Sequence, residues 1–474
     1  MKIIQQNEEK FQAFFNKFLE EGMRSNSITD FNLLFFEEYN KLGLELLKDL
    51  YEAIDEKILE ENRKQEKRDF IVHKKVKRTL LTKLGVVTFF RRYYKDVSGK
   101  IRCLFDEKFN IKKGKRITGD ALIGVISEGI ETSYKKGGEA ASITDNLSKT
   151  SVNNYFKEIK IPNIIKKKID KKQVDYLYID ADEDHISLQR SKKPSEQNKI
   201  IYVYEGKEKE APKSKRVALK NTHYFGGIEV KSAEKSTLWW QVYEYIENNY
   251  DVENIKKIYL NSDGGGWIKE GREMFPNVEF VLDEFHIVQY VNRMTNHLSD
   301  KKAKKFKQKI YFAFKNEDEI KINLILTKIE TTVGNDTERN NVEAAKTYIL
   351  NNIDAIFLRY SEDKNILGCS AEGHVSHVLA SRMSSRPMGW TVEGANKMTM
   401  LRFYVLNGGS IYDLVKSNFE GVKAETYNCS IKEEQKEIKV TTKKKKQHKN
   451  KTKAKYYDVF HGTLTEQGKK LLNI

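Results

Sequence analysis

Carboxylates recur in three segments of the second half of the chain. The segments are IDADEDH, which contains Asp180 and Asp182, SDGGGW, which contains Asp263, and SAEGHVSH, which contains Glu372. The first two end β-rich runs, and the third opens a run with helical spacing. Carboxylates held at strand ends and on one helix can bind two Mg²⁺ ions for phosphodiester chemistry. These residues therefore predict a metal-dependent enzyme that acts on nucleic acid.

The segments that contain these carboxylates have the pattern of strands that alternate with helices. Alternation along VDYLYIDADED puts Asp180, Asp182 and Asp184 on one face of a strand. A second strand, IKKIYLNSD, ends at Asp263. The pattern predicts an α/β fold, a mixed sheet with helices on its faces, in which Asp182 and Asp263 meet at neighbouring strand ends. Asp180 remains an alternative first metal ligand, because it shares the predicted face of Asp182.

Three consecutive glycines, residues 264–266, raise the alternative of a phosphate-binding loop. A nucleotide P-loop needs Lys and Ser or Thr after its last glycine, and here Trp267 and Ile268 follow. A dinucleotide fingerprint needs glycine where Lys269 stands. The glycines therefore predict a tight turn beside Asp263.

Glu372 follows a lysine-rich stretch of helical pattern between residues 295 and 365. This stretch predicts an inserted helical domain, after which the core resumes. A carboxylate on a helix packed against the sheet could supply the third metal ligand. Arg382 and Arg386 make the same segment basic and could hold DNA phosphates.

Charge and composition restrict the function classes. The 474 residues carry 85 Lys and Arg against 68 Asp and Glu, a net charge of +17, which predicts a polyanionic partner. Anionic lipid would also suit a basic surface, but the chain has no apolar run of membrane-spanning length and no secretory leader pattern. Three cysteines without CxxC spacing argue against a disulfide framework and a thiolate zinc site. We expect a cytoplasmic protein that binds nucleic acid, and the family resemblance given below makes that a bacterial, nucleoid-associated protein on double-stranded DNA.

The first 115 residues predict a long amphipathic helix and then a β-hairpin. Apolar residues recur every three or four positions over residues 30–60, and a charged stretch places a boundary near residue 70. Two β-rich runs flank Gly85, and Arg91 and Arg92 stand among aromatic residues on the second. Basic and aromatic side chains interleaved on a strand can bind phosphate and stack on bases, although an edge strand protected by charge has the same pattern.

Residues 132–160 read as a helix, a short turn and a second helix opening at Ser148 or Thr150. This order predicts a helix-turn-helix motif. Lys149, Thr150 and Ser151 would then lie at the N-terminal end of the recognition helix, where side chains reach the major groove.

The same motifs resemble a known family. The order IDADEDH, SDGGGW, DEFH and SAEGHVSH with SSRPMGW closely resembles the ISLre-two family of bacterial insertion-sequence transposases, of the DDE group with Mutator-like relatives. The resemblance runs from the hairpin near Arg78 to about Gly409. It implies a ribonuclease-H-like catalytic core interrupted by a helical insertion, and a metal-binding triad of Asp182, Asp263 and Glu372. It also implies that Asp283 and His286 form an auxiliary D-x-x-H pair.

The implied activity is Mg²⁺-dependent cleavage at the ends of an insertion sequence, followed by attack of the freed 3′-hydroxyl on target DNA. Two ions about 3.5 to 4 Å apart would be expected, with Mn²⁺ as a substitute, and the protein would act as a homo-oligomer on DNA. Alternatives are a non-catalytic DNA-binding derivative and a structure-selective nuclease or resolvase on the same core. A zinc site at Glu372, His374 and His377 is disfavoured, because no HExxH pattern occurs.

The predicted multidomain α+β organisation has seven segments. They are a helical N-terminal region (1–70), a β-hairpin region (71–115), a helix-turn-helix region (116–165), the first part of the core (173–294), the helical insertion (295–365), the second part of the core (366–410) and a basic C-terminal region (411–474).

Overall fold

The N-terminal region is a helical hairpin that packs on a small antiparallel sheet. Helices α1 (Lys2–Arg24) and α2 (Ile28–Lys64) are followed by strands β1 (Phe70–Leu81), β2 (Val86–Asp96) and β3 (Ile101–Arg102) and helix α3 (Leu104–Lys108). The sheet order is β1-β2-β3. Apolar residues of α2 pack against Leu80, Val87 and Phe89 of the sheet. The predicted long helix and the hairpin around Gly85 are confirmed. Helix α1 lies in the predicted helical region 1–70, although it was not predicted as a separate helix.

The computed structural model describes residues 2–64, 69–162, 170–228, 237–275, 277–386 and 388–421, together with two short strands, β11 (Tyr457–Asp458) and β12 (Thr463–Leu464). Residues Met1–Val422 belong to one compact unit and Lys423–Ile474 to a second. The lysine run at 443–446, which is part of the predicted basic C-terminal region, lies outside the described residues. Within the described ranges, no helix has both the length and the apolar character that a bilayer crossing requires.

The centre of the first unit is a five-stranded mixed sheet. Its order is β10-β9-β4-β5-β8, where β5 and β8 run antiparallel to their neighbours and β9 and β10 run parallel to β4. The strands are β4 (Tyr176–Ser187), β5 (Ser195–Tyr204), β8 (His223–Gly227), β9 (Lys257–Ser262) and β10 (Val278–Leu282), and a separate two-stranded ribbon consists of β6 (Lys207–Lys209) and β7 (Val217–Leu219). The predicted mixed sheet with helices is confirmed.

One face of the sheet is covered by helices from the middle of the chain. These are α7 (Thr237–Asn249), α8 (Gly266–Met274), α9 (Glu284–Thr295), α10 (Asp300–Lys315), α11 (Glu319–Glu330), α12 (Asp336–Asn351) and α13 (Ile353–Tyr360). Leu177, Ile179 and Ala181 of β4 enter this core, and so do the apolar faces of α10 to α13. The helical stretch predicted for 295–365 is therefore confirmed, and it shares its core with the sheet.

The other face of the sheet is covered by the segment that contains Glu372. Helix α14 (Ala371–His374) continues through a π-helical turn (Val375–Ala380) into α15 (Ser381–Met383), and α16 (Val392–Leu406) and α17 (Ile411–Val415) follow. Val378 and Leu379 pack against tyrosines of β4, β5 and β9.

Three earlier helices complete this second layer: α4 (Gly119–Glu131), α5 (Tyr134–Glu139) and α6 (Lys149–Glu158). Buried residues of α4 and α6 pack in one cluster with Ile186 of β4, Trp390 and the buried face of α16. The region predicted as a helix-turn-helix unit thus shares its core with the sheet layer.

Candidate active site at the carboxyl end of the sheet

Three parallel strands bring aspartates to one edge of the sheet. Strand β4 pairs with β9 as far as Asp180 and Asn261, so Asp182 lies just beyond the paired region. Asp263 directly follows β9, and Asp283 directly follows β10. The backbone N–H of Asp283 donates to the carbonyl of Ser262, at 2.8 Å, which holds the last two strand ends together. The edge therefore gathers Asp182, Asp263 and Asp283, as the alternation of strands and helices predicted for the first two.

A glycine turn fixes the position of Asp263. The Asp263 carboxylate accepts from the N–H of Gly265 at 2.9 Å, and Ser262 Oγ accepts from the N–H of Gly264 at 3.0 Å. Gly264 has φ +86°, a left-handed conformation that side chains with a Cβ rarely adopt. The predicted tight turn beside Asp263 is confirmed, and helix α8 begins directly after it.

Burial and charge act on the half-buried Asp182. Loss of water raises the pKa of Asp182 to about 7, with a further contribution from the negative charge of Asp263. The N–H of Glu183, which donates to Asp182 Oδ1 at 2.8 Å, and the nearby His286 oppose this rise. Two carboxylates close enough to repel, one of them desolvated, form a site whose energy a cation would lower.

His286 lies beside both carboxylates. Its Nδ1 is 3.3 Å from Asp283 Oδ2, while Asp283 Oδ1 caps helix α9 by accepting from the N–H of Phe285 at 3.2 Å. The hydrogen bond with Asp283 raises the pKa of His286, and the charges of Asp263 and Asp182 act in the same direction. Asp283 and His286 thus form a hydrogen-bonded pair, and the His286 imidazole interacts electrostatically with the carboxylates of Asp182 and Asp263.

Asp180, the alternative first ligand, is fully buried and occupied by other bonds. Its two oxygens accept from the hydroxyls of Tyr202 (2.8 Å) and Tyr204 (3.1 Å), from Asn261 Nδ2 (2.7 Å), and from the N–H (3.0 Å) and Oγ (3.1 Å) of Ser370. Five donors saturate the acceptor capacity of a carboxylate. This geometry leaves Asp180 no oxygen for a metal ion.

The segment that contains Glu372 is fastened across the same face of β4. Ser370 bonds to Asp180 at one end, and Ser384 Oγ donates to Asp184 Oδ1 at 2.9 Å at the other. Asp182 lies between these two attachment points in the strand, so the predicted common face of the three aspartates is confirmed. The helix between the attachments contains the π turn, a feature frequent at functional sites. Glu372 itself is exposed, two residues after the first attachment.

The donor set suits a divalent ion, since carboxylate oxygens are the ligands that Mg²⁺ prefers. Among the described residues, no group of three or more His, Cys, Asp or Glu side chains has already converged to hold a metal. Asp182 and Asp263 fit such an ion by donor type and by their repulsion. The role of Glu372 as the third ligand stays a prediction.

Several residues at this edge carried no sequence signal that singled them out. Glu183 points to the opposite face from Asp182, where its carboxylate accepts from Trp267 Nε1 and, at 2.6 Å, from Gln197 Nε2. Lys199 Nζ lies 4.7 Å from the centre of the Trp267 ring. Trp267 is part of the SDGGGW motif, but only the fold places it beside β4 and β5.

Two of the arginines predicted to grip DNA are engaged inside the protein. Arg91 is 3% exposed and forms a two-pronged ion pair with Asp106, at 2.7 and 2.8 Å. Arg92 pairs with Asp55, at 2.7 Å, and with Glu56. The geometry therefore argues against DNA contact by these two side chains and favours the structural alternative, in which charge pairs join the sheet to its neighbouring helices.

Arg382 is also engaged within the protein. It is 3% exposed, donates to the Gly129 carbonyl at 3.0 Å, and has its guanidinium carbon 5.4 and 5.0 Å from the ring centres of Tyr134 and Trp390. Burial lowers the pKa of Arg382 to about 10. Arg386, by contrast, is exposed and accessible to a phosphate.

The helix-turn-helix prediction is met in its second helix only. Helix α6 begins at Lys149, and Ser148 Oγ caps it by accepting from the N–H of Ser151 at 3.2 Å. Lys149 and Thr150 are exposed, and Val152 is buried. The preceding helix α5 has six residues, however, and a connection over residues 140–148 replaces the predicted short turn. This connection is longer than the three or four residues of the usual motif.

The sequence over residues 19–419 matches the family described as "Uncharacterised protein family (UPF0236)". The chain belongs to UPF0236. A UPF0236 protein of Caldanaerobacter subterraneus subsp. tengcongensis is 36% identical over 435 residues, which cover 91% of this chain and 89% of that protein. A second UPF0236 protein of the same organism is 34% identical over 441 residues, or 92% of this chain and 91% of its own length.

A more distant UPF0236 protein occurs in Streptococcus gallolyticus. It is named for the vanSb 3′ region and is 25% identical over 240 residues, which cover 49% of this chain and 50% of that protein. The name of the 36% identical relative joins eleven numbered designations in one organism, and another 34% identical relative joins four.

Proposed function

We propose that this UPF0236 chain is a DDE transposase that cuts and joins DNA at the ends of an insertion sequence. The observation that carries the proposal is the juxtaposition of Asp182 and Asp263 at the carboxyl end of the sheet. Asp182, desolvated and repelled by Asp263, lies beneath a helical segment that is anchored on both sides of it. Partly buried carboxylates with a perturbed pKa and a charged neighbour are typical of functional sites.

The metal ligands in this proposal are Asp182, Asp263 and Glu372. Asp182 is chosen over Asp180 because Asp180 already accepts five hydrogen bonds. Mg²⁺ ions held there would supply Lewis-acid stabilisation and an activated attacking oxygen. His286, raised in proton affinity by Asp283, would hold a proton beside the carboxylates and orient a phosphate oxygen or a water.

The core that this chemistry needs is ribonuclease-H-like in our proposal. Support comes from the mixed sheet, in which three antiparallel strands, β4, β5 and β8, are extended by the parallel strands β9 and β10. Further support comes from the helices that intervene between β10 and the segment with Glu372. Both features are what the resemblance to insertion-sequence transposases implies.

The net charge of +17 supports double-stranded DNA as the partner. Among the residues predicted for DNA contact, Lys149, Thr150 and Arg386 are exposed and available for it. The relatives add an independent argument. A protein whose name joins eleven designations in one organism has the multiplicity that a self-propagating element would produce.

The test is a strand-cleavage and strand-transfer assay with Mg²⁺, and with Mn²⁺ as a second ion. The substrate is a duplex that contains the DNA flanking this reading frame in its own genome. Wild type is compared with Asp263→Asn and Glu372→Gln, and Glu393→Gln is the matched control, because Glu393 is an exposed glutamate on the neighbouring helix α16. We expect end cleavage and joined product from wild type and the control, and a loss of at least about 100-fold in the two site variants.

Other outcomes separate the alternatives. DNA binding without cleavage by wild type with either ion would indicate a non-catalytic DNA-binding protein. Cutting of branched duplexes without joined product would indicate a structure-selective nuclease. Equal cleavage by wild type and Asp263→Asn would contradict the assignment of the site.

A further inference from the structure

The α1–α2 hairpin has an apolar face that nothing in the described chain covers. On α1, Phe11, Phe15, Leu19 and Met23 are between 53% and 88% exposed, and on α2 Phe36 and Tyr39 are 62% and 49% exposed. An isolated exposed apolar residue needs no explanation, but a contiguous set does. The question is whether these side chains form one surface.

Helical geometry puts them on the same side of the hairpin. The helices are antiparallel, because Phe18 contacts Phe31 and Phe14 contacts Phe35. On both helices, the exposed apolar residues are displaced around the helix axis from the phenylalanines that face the other helix. The direction of this displacement is the same on the two helices. At 100° per residue in an antiparallel pair, an equal offset directs both stripes to one face.

The opposite side of the hairpin is polar and paired. Lys17 forms an ion pair with Glu38 at 2.8 Å, and Lys10 forms one with Asp49 at 2.7 Å. The hairpin therefore has an ion-paired side and an apolar side. Here "apolar hairpin face" denotes the surface formed by Phe11, Phe15, Leu19, Met23, Phe36 and Tyr39.

The area of this face is that of a dimer interface. Aromatic side chains bury about 150–250 Å² each, so four of them together with Leu19 and Met23, all between 49% and 88% exposed, present on the order of 600 Å². The largest apolar patch on a typical monomer is about 300–600 Å². A standard interface buries about 800 Å² per partner, of which about 65% is apolar in homodimers. The apolar hairpin face alone supplies that apolar share.

The charge of the hairpin argues against DNA and anionic lipid as its partners. Residues 2–64 contain nine Lys and Arg against fourteen Asp and Glu, whereas the whole chain has a net charge of +17. An acidic surface repels DNA and anionic lipid, so the hairpin does not take part in the attraction of polyanions. A protein surface is the occupant that remains.

We infer that the apolar hairpin face binds the same face of a second copy of this chain, so that two hairpins form a four-helix bundle. A two-fold axis matches the face to itself, and the length of α1, 23 residues, gives about 34 Å of contact. The pairing of two amphipathic hairpins is a common route to such a bundle. This inference does not depend on the proposed DNA chemistry.

The test is the mass of the full-length protein by light scattering after size exclusion, without DNA and at high salt, over a wide range of concentration. Phe15→Glu and Phe36→Glu each place a charge in the face, once per copy. Ala13→Glu is the matched control, because Ala13 is exposed on α1 about half a turn from the stripe. Circular dichroism verifies that each variant is folded.

We expect wild type and Ala13→Glu to be dimers with similar dissociation constants. Phe15→Glu and Phe36→Glu should raise the dissociation constant by at least about 100-fold, because each dimer then buries two unpaired carboxylates. Higher salt should strengthen the dimer, since it screens repulsion between acidic hairpins. A wild type that stays monomeric at the highest concentration would overturn the inference. So would dimers of unchanged affinity in both face variants.

Discussion

Replacing Asp182 by Asn should change how the stability of the metal-free protein depends on pH. Asp182 retains its proton in the folded protein up to a pKa of about 7, against an ordinary value of 3.8 when unfolded. Unfolding therefore releases a proton between these two values, and the free energy of unfolding falls as pH rises through that interval. Asn has the shape of the protonated Asp side chain but releases no proton. The free energy of unfolding of Asp182→Asn therefore does not fall in this way as pH rises.

The size of the effect follows from the change in proton affinity. Each tenfold change corresponds to about 1.4 kcal/mol, so the difference between wild type and Asp182→Asn should grow from near zero at pH 4 to at most about 4 kcal/mol at pH 8. For a unit of this length, that corresponds to a rise of about 4–5 °C in Tm. The assay is urea denaturation in EDTA at intervals of pH, with Asp69→Asn as the control, an identical chemical change at an exposed side chain.

Addition of Mg²⁺ at pH 8 supplies the second arm of this experiment. An ion that binds the folded protein raises its stability, so wild type should gain stability and Asp182→Asn should gain much less. Parallel stability curves for wild type and Asp182→Asn from pH 4 to pH 8 would refute the reasoning, because they would show that Asp182 titrates normally in the fold.

Three further predictions concern the surroundings of the site. Asp180→Ala should lower the free energy of unfolding by about 3–5 kcal/mol in urea denaturation, because it removes the acceptor of the Tyr204 hydroxyl, Asn261 Nδ2 and the Ser370 N–H, whereas the Tyr202 hydroxyl and Ser370 Oγ, 2.9 Å apart, can still bond to each other. An effect below about 1 kcal/mol would contradict the hydrogen-bond network. Gly264→Ala should cost about 1–2 kcal/mol in the same assay because of its φ of +86°, and an unchanged midpoint would contradict the turn geometry. Arg386→Ala should reduce the slope of the logarithm of DNA affinity against the logarithm of salt concentration by about one phosphate contact. Arg382→Lys should lower the free energy of unfolding and leave that slope unchanged. The reverse result in a salt titration would show that Arg382 reaches DNA.

The sequence was most informative where the chemistry lies on regular elements. The period-two alternation of β4 correctly put Asp180, Asp182 and Asp184 on one face, and the strand-helix order correctly brought Asp182 next to Asp263. The glycine run was correctly taken as a turn, because the residues after it lack phosphate-binding chemistry. The period of a strand determines which face its residues share, and the carboxyl ends of parallel strands meet at one edge, so these relations could be predicted although β5 to β8 and α7 lie between Asp182 and Asp263.

Sequence reasoning was least informative where the role of an arginine depends on one particular side chain of another element. Arg91 and Arg92 stand in a basic-aromatic pattern, but their partners Asp106 and Asp55 lie 15 and 37 residues away. No local pattern distinguishes an arginine that binds phosphate from one that joins two elements. Arg382 is a similar case, because its aromatic neighbours come from different segments and its carbonyl acceptor is 253 residues distant.

Asp180 and Asp182 show how the fold gives different roles to two residues of the same type on the same strand face. The two aspartates are identical in type and share a strand face, so alternation alone cannot separate them. Asp180 contacts tyrosines of β5, an asparagine of β9 and the backbone of Ser370, and these donors occupy both of its oxygens in the core.

Asp182, one repeat further along, lies past the end of β9 and keeps a single backbone donor, from Glu183. Asp180 can therefore fasten the segment that contains Glu372, while Asp182 remains half-buried beside Asp263. The register of β4 against β9 decides which aspartate is structural and which is free to bind a cation. A shift of two residues would put Asp182 in the buried position of Asp180 and Asp184 at the strand end, without altering the sequence motif.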